Sequence, residues 1–205
     1  MSNSARRLIW TVSVVCTLGA VDLLAPRIAQ ARPSAVNSTS SAGLGGCSVS
    51  TLGQPFAPWL DYGEYELAPG GDFESSTWSV TGGAKRVPGS EPYAATGTLG
   101  SYSLSLPVGS SAQSPATCVD ATDPSIRFFI EGHGLVEVDV VDGSSVVLAG
   151  VATAGGEWAP TPVMLTNAAL LGASSGGTAQ VSVALTGLSG TPRIDDVFVD
   201  PWSRG

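Results

Sequence analysis

One histidine, three cysteines and nine basic residues among 205 leave several chemistries without their usual side chains. A single histidine excludes a three-histidine zinc centre, and Cys16, Cys47 and Cys118 lack the close pairing of a structural zinc site. Glycine loops of the phosphate-cradling kind are missing. No apolar run reaches the roughly 20 residues that a membrane-crossing helix needs. Lysine and arginine are outnumbered by seventeen acids, for a formal charge of −8. Nucleic acids and anionic lipid surfaces both draw affinity from basic side chains, so neither suits this chain as a partner.

What is present starts with Arg6 and Arg7, followed by an uncharged, mostly apolar run from Leu8 to Val21 that Asp22 ends. A run of this length matches the apolar core of a secretory signal peptide, and Ala29-Gln30-Ala31 is the small-x-small cleavage motif. Residues 1–31 are therefore expected to be removed, Cys16 with them, to give a secreted, extracellular protein with no membrane insertion afterwards. The paired arginines leave the export route open. The remaining chain has six basic residues against sixteen acids, a formal charge of −10. Its two cysteines, Cys47 and Cys118, are expected to form a disulfide in an oxidising compartment, the alternative being two buried thiols. Closing a loop of that length stabilises the fold by about 4 kcal/mol in the chain-entropy treatment. Residues 32–46 are rich in Ser, Ala, Gly and Pro and read as a flexible tether. One domain is expected over 47–201, with a short tail at 202–205.

Strand signals dominate the domain. Leu135 to Val140 alternates apolar and acidic residues, Asp142-Gly143 supplies a hairpin turn, and Val146 to Val151 continues it. Val181 to Leu185 alternates in the same way. Further runs are Tyr62–Leu67, Trp78–Thr81, Tyr102–Leu106, Ile126–Ile130, Val163–Thr166 and Arg193–Val199. Gly, Pro and Ser clusters separate them, among them Gly82-Gly83, Gly155-Gly156 and Ser174 to Gly177. Nine or ten short strands with this punctuation imply an all-β, two-sheet antiparallel sandwich. Asn167 to Leu171 is the one candidate helical turn.

Catalytic motifs do not hold up. Gly172-Ala173-Ser174-Ser175-Gly176 matches the G-x-S-x-G elbow formally, but no apolar helix follows, and His133 precedes the serine in a Gly-flanked segment that reads as a loop. A glycosidase needs two carboxylates facing each other across a cleft. Glu137 and Asp139 alternate with valines as a wet strand face, and Asp120 and Asp123 read as turn residues. No pair of acids stands out, and no enzyme is expected.

Two end segments are more informative. Tyr65 to Glu74, ending Gly70-Gly71-Asp72-Phe73-Glu74 and followed by Trp78, resembles the opening of galactose-binding-like jelly rolls, especially carbohydrate-binding modules of families 4, 9 and 22. Ile194-Asp195-Asp196-Val197 is similar to their closing segment. The chain also resembles a recurrent class of secreted actinobacterial proteins, through Gly89-Ser90-Glu91-Pro92, Ser103 to Pro107 and Arg127-Phe128-Phe129. The first resemblance implies a jelly-roll sandwich and a non-catalytic module that recognises carbohydrate, as cell-wall glycan or extracellular polysaccharide. The alternative is a structural or protein-interaction component of the cell surface that uses the jelly roll as scaffold.

Sugars are held by aromatic faces and by polar groups that satisfy their hydroxyls. Trp59, Tyr62 and Tyr93 lie among loop residues and are the ligand-binding candidates, whereas Phe73, Trp78 and Trp158 read as packing residues. Asp72, Glu74, Asp195 and Asp196 are expected to hold a structural calcium ion, since four acids brought together at the two chain ends would otherwise repel, and the resemblance implies Glu74 and Asp196 among its ligands. Mass spectrometry of exported protein is expected to show an N-terminus at Arg32 and no thiol open to alkylation. A retained segment 1–31 or two alkylated cysteines would contradict this.

Overall fold

Alternation of valine with acids over residues 135–140 does build a strand, but a far longer one than the pattern outlines. The computed structural model describes residues 51–120, 124–166 and 178–201. A 3-10 turn, Ala57–Trp59, precedes eleven strands: β1 Glu66–Leu67, β2 Ser79–Thr81, β3 Lys85–Pro88, β4 Tyr102–Ser105, β5 Ser111–Gln113, β6 Thr117–Asp120, β7 Ser125–Asp142, β8 Ser145–Pro160, β9 Met164–Leu165, β10 Thr178–Gly190 and β11 Arg193–Asp200. Every pairing among them is antiparallel. The path runs β2-β5-β10-β7-β11-β4-β3, with β1 on β11, β6 on β10, and β8 and β9 on β7. This all-β, nearly closed antiparallel arrangement is consistent with the expected jelly-roll sandwich.

Segments expected as loops explain the difference in strand length. Glu131 to Gly134 lies inside β7, and Gly155-Gly156 lies inside β8, paired with His133 and Gly132. The glycines there admit bends within a continuous ladder instead of ending it. Gly134 has φ +146° and Gly190 has φ +65°, and a Cβ on either would come within 2.0 Å of the backbone oxygen of Ser189 or His133. Only glycine permits β7 and β10 to approach this closely. Beyond the bend β7 pairs with β10, and before it with β11. The hairpin joining β7 to β8 was legible: Asp142 pairs with Ser145, and Gly143 takes φ 57°. The expected helical turn at 167–171, the G-x-S-x-G segment and Asp123 lie outside the described residues, as do residues 1–50 and 202–205.

Inward side chains from most of the strands form one core, in which Val136, Val138, Val140, Val183, Leu185, Leu104 and Ile194 are fully buried. Phe73 and Trp78 belong to it, as expected, and Trp78 Nε1 donates to the Pro69 carbonyl at 3.0 Å. Glu137 and Asp139 occupy the opposite, half-buried face of β7. Burial, and then the charge of Glu137, raise the Asp139 carboxyl.

A second, smaller core covers the outer face of β7 and β11. It is aromatic: Phe56, Tyr65, Phe129 and Phe198, with Trp59, Leu67, Ala95 and Trp158 packed against it. Phe56 sits 5.1 to 5.5 Å from Tyr65, Phe129 and Phe198. Arg127 closes the cluster, its guanidinium 4.4 Å from the Phe56 ring and 2.6 Å from Asp61. Asp61 also accepts from the Tyr65 hydroxyl at 2.8 Å and the Gly63 N–H at 3.0 Å. Burial alone would raise its carboxyl, but these hydrogen bonds and the Arg127 charge outweigh burial and hold it below the usual range.

Asp61 thus stabilises the fold above the carboxylate's unfolded range, and that contribution is lost as pH falls through its lowered folded value. Replacing Asp61 with Asn removes the counter-charge of a buried guanidinium and is expected to cost about 2–3 kcal/mol at neutral pH. Denaturant melts across the acid range should show the penalty shrinking toward low pH. A penalty that is the same at every pH would show that the ion pair contributes nothing.

Candidate functional site

The segment Ser90 to Gly97 is positioned by carboxylates as well as by packing. Asp195 Oδ2 on β11 accepts the Ser90 hydroxyl at 2.6 Å and the Glu91 N–H at 2.9 Å, while Oδ1 accepts the Asp196 N–H at 2.9 Å. Glu91, itself 1% exposed, turns its carboxylate back on its own loop. There it accepts the Ala95 N–H at 2.8 Å and the Tyr93 N–H. Ala94 is driven to φ 53°, and Gly97 N–H bonds to its carbonyl at 2.8 Å. The loop that presents Tyr93 is therefore bound through two buried acids to the middle of the sheet.

The opposite wall comes from a β-bulge. Ile130 pairs with Ala159 and Gly132 with Gly156, so Glu157 and Trp158 of β8 face Glu131 of β7 two against one. An extra residue in one strand bends it and re-aims its side chains. Between bulge and loop lies a cleft of about 260 Å³ lined by Pro92, Tyr93, Glu131, Glu157 and Trp158. The Tyr93 ring is supported from behind by Phe129, with centroids 5.4 Å apart, and by Trp59, edge-on at 4.9 Å. Its hydroxyl donates to the Trp158 carbonyl at 2.7 Å, tying loop to bulge. Arg193 reaches Glu131 at 2.6 Å and lies 5.6 Å from the Trp158 ring centroid. The same guanidinium donates to Ser103 Oγ and to the carbonyls of Pro88 and Gly89 at 2.8 to 2.9 Å.

Of the three aromatics expected to meet a ligand, only Tyr93 lines the cleft. Trp59 backs it, half-buried, and Tyr62 is 60% exposed but takes no part in the lining. Trp158, read as a packing residue, does pack on the aromatic cluster and also faces the cleft. Pro92, Glu131 and Glu157 were not singled out. The signal that could have found this wall was two glycine-flanked segments, Glu131-Gly132 and Gly156-Glu157-Trp158. Both resembled turns.

Of the four acids expected to share calcium, Asp195 and Asp196 are neighbours that repel each other, the charge of Asp72 also reaches Asp196, and Glu74 is turned to backbone donors. Glu74 accepts the N–H groups of Ser101 and Tyr102 at 2.6 and 2.9 Å, and Asp72 accepts that of Glu74 at 3.2 Å. Among the described residues no group of three or more His, Cys, Asp or Glu side chains is placed to hold a metal ion. Asp195 and Asp196 both meet Glu91. Burial raises the Asp195 carboxyl most, its hydrogen bonds partly reverse this, and it stands at about 6. Burial, then the charges of Asp195 and Glu91, push Asp196 up to about 9, and its hydrogen bond to Glu91 requires the two carboxyl groups to share a proton.

No protein-family model and no curated protein matches the chain. Among solved structures it is similar to a family 61 carbohydrate-binding module in complex with beta-1,4-galactotriose, at 20% identity over 65% of this chain and 96% of that one, with a TM-score of 0.41. It is also similar to the C-terminal family 6 module of a laminarinase from Zobellia galactanivorans, at 13% identity over 66% and 98%, with a TM-score of 0.43. A third likeness is to a family 22 module joined to a xylanase domain from Clostridium thermocellum, at 13% identity over 62% and 26%, also with a TM-score of 0.43. With TM-scores below 0.5, these likenesses carry no argument about the cleft.

Folded Asp196 binds its proton more tightly than the unfolded chain does. Its contribution is therefore most favourable below the ordinary carboxyl value and is lost as pH rises toward about 9. Asp196→Asn, which suits the left-handed φ of 48°, should gain in melting temperature relative to the unchanged protein between about pH 4 and pH 9. The melts are to be run in metal-stripped protein with and without calcium. A constant difference would remove the shared proton, and a melting temperature raised by calcium would support the ion that the sequence suggested.

Proposed function

We propose that this chain binds carbohydrate in the Tyr93–Trp158 cleft and performs no chemistry on it. One observation carries the reading: two aromatic side chains, each packed from behind by other aromatics, stand beside two carboxylates at an open cleft. A pyranose offers apolar C–H faces to rings and hydroxyls to acceptors, and this wall supplies both. At about 260 Å³ the cleft lies below the ~300–1,000 Å³ of drug-sized sites, a size suited to about one sugar ring. Prior fixation matters as much as contact, because a ring already held by Phe129 and Trp59 loses little freedom when a ligand stacks on it.

Binding is favoured over catalysis because Glu131 is engaged by Arg193 in an ion pair, which leaves Glu157 as the one uncommitted acid of the lining. The setting we propose is extracellular: an exported protein whose Cys47–Cys118 disulfide anchors the start of the domain to β6. Cys47 lies outside the described residues, so the pairing rests on the cysteine count of an exported chain.

Isothermal titration against short soluble oligosaccharides tests the proposal. Tyr93→Ala and Trp158→Ala should each weaken binding about tenfold or more, while Tyr62→Ala leaves it unchanged. Binding lost in Tyr62→Ala but kept in the other two would move the site elsewhere. A folded protein that binds no glycan would end the reading.

A further inference from the structure

We propose that the cleft selects sugars that carry a free amine, an inference that rests on the carbohydrate reading and narrows its ligand class. The charges around the cleft are unequal. Glu131 is neutralised by Arg193 at 2.6 Å, and that guanidinium is already occupied by Ser103 and by the carbonyls of Pro88 and Gly89. Glu157, across the bulge, is exposed and has no ion-pair partner among the described residues. No basic side chain lines the cleft. The lining therefore holds one uncompensated negative charge next to two aromatic rings.

An ammonium group meets both features at once. It is drawn to the electron-rich face of a tryptophan or tyrosine, more strongly where the site excludes water, and it pairs with a carboxylate. Arg193 beside the Trp158 ring shows that this wall already accommodates one cation in that way. A neutral sugar hydroxyl can donate to Glu157 but leaves its charge uncancelled. A uronate, sulfate or phosphate group would be brought against that charge, in a chain whose formal charge is −8 overall. An N-acetylated amine has lost the positive charge and gained bulk in a cleft of about 260 Å³. Partly or fully deacetylated amino-sugar chains are the class that fits.

The test compares short oligomers of glucosamine, N-acetylglucosamine, glucose and a uronic acid, matched in length, against the full exported chain. Expected is an affinity for the glucosamine oligomer about tenfold above that for the glucose oligomer at low salt, with no measurable binding of the uronate. The preference should shrink as salt is raised, since exposed charges are screened. In Glu157→Gln the ratio of the two affinities should fall to about one. Four outcomes overturn the proposal. If neutral or N-acetylated oligomers bind as well as glucosamine, and Tyr93→Ala abolishes that binding, amine selection fails while the carbohydrate site stands. Binding of the uronate in preference to the others has the same meaning. An amine preference that survives in Glu157→Gln would place its origin in the general negative field of the protein. Absence of binding by any oligomer removes the proposal together with the reading beneath it.

Discussion

The structure depends on a carboxylate that has no business in a core unless something holds it. Asp195 is completely buried on a central strand, and three donors from its own surroundings satisfy it: the Ser90 hydroxyl and the backbone N–H groups of Glu91 and Asp196. A buried charge without such partners is strongly unfavourable, so the interaction cannot be given up without loss. Its consequence is positional. Glu91, held at its backbone by Asp195, holds the next turn with its own side chain, and the aromatic wall of the cleft follows. A polar relay in the interior and the packing of Tyr93 and Ala95 on the aromatic cluster together fix this loop.

Two bulges on either side of β7 serve the same end. On β11, Asp196 and Val197 oppose the single residue Phe128, and on β8, Glu157 and Trp158 oppose Glu131. The first opens space for the Gly71 turn, where any side chain would collide with the Val197 carbonyl, since a Cβ would lie 2.6 Å from it. The second turns an acid and an indole outward from a strand that otherwise buries alternate residues. Both are local departures from the two-residue period, and both lie beside the cleft or its support, unlike the shifts at Ala149 on β8 and Leu188 on β10. Regular ladder makes most of the scaffold, and two of its irregularities make the site.

That contrast also explains what was legible in the sequence. Val136, Val138 and Val140, or Val181, Val183 and Leu185, declare themselves by alternation because one face of each strand is dry. The Asp142-Gly143 hairpin and the core roles of Phe73 and Trp78 were readable for similar local reasons. Strands β3, β5 and β6 were not, since KRVP, SAQ and TCVD are short and carry little alternation. Gly132, Gly134, Gly155 and Gly156 misled in the most instructive way. A glycine that ends a strand and a glycine that lets a strand bend look alike until the partner strand is known. Trp158 was hidden for a related reason, since one indole both packs on Phe129's cluster and faces the cleft. Tyr93 could be found because it stood in a loop, but nothing local announced that Glu91 would be buried beneath it. Its partner is more than a hundred residues away.

Strand β11 pairs with β1, β4 and β7, and it also carries Asp195 and Arg193. Its neighbours are separated from it by as much as 133 residues, from Glu66 to Val199. Non-local closure of this kind is slow, because the entropy of a long loop is lost before any pairing repays it. During synthesis, the earlier strands can form hairpins such as β7–β8. They cannot assemble the cleft. The loop at Ser90 has no acceptor, and Glu131 no guanidinium, until the residues near 195 have emerged. The cleft is thus a property of the finished molecule alone, and a chain still being made has neither of its walls in place.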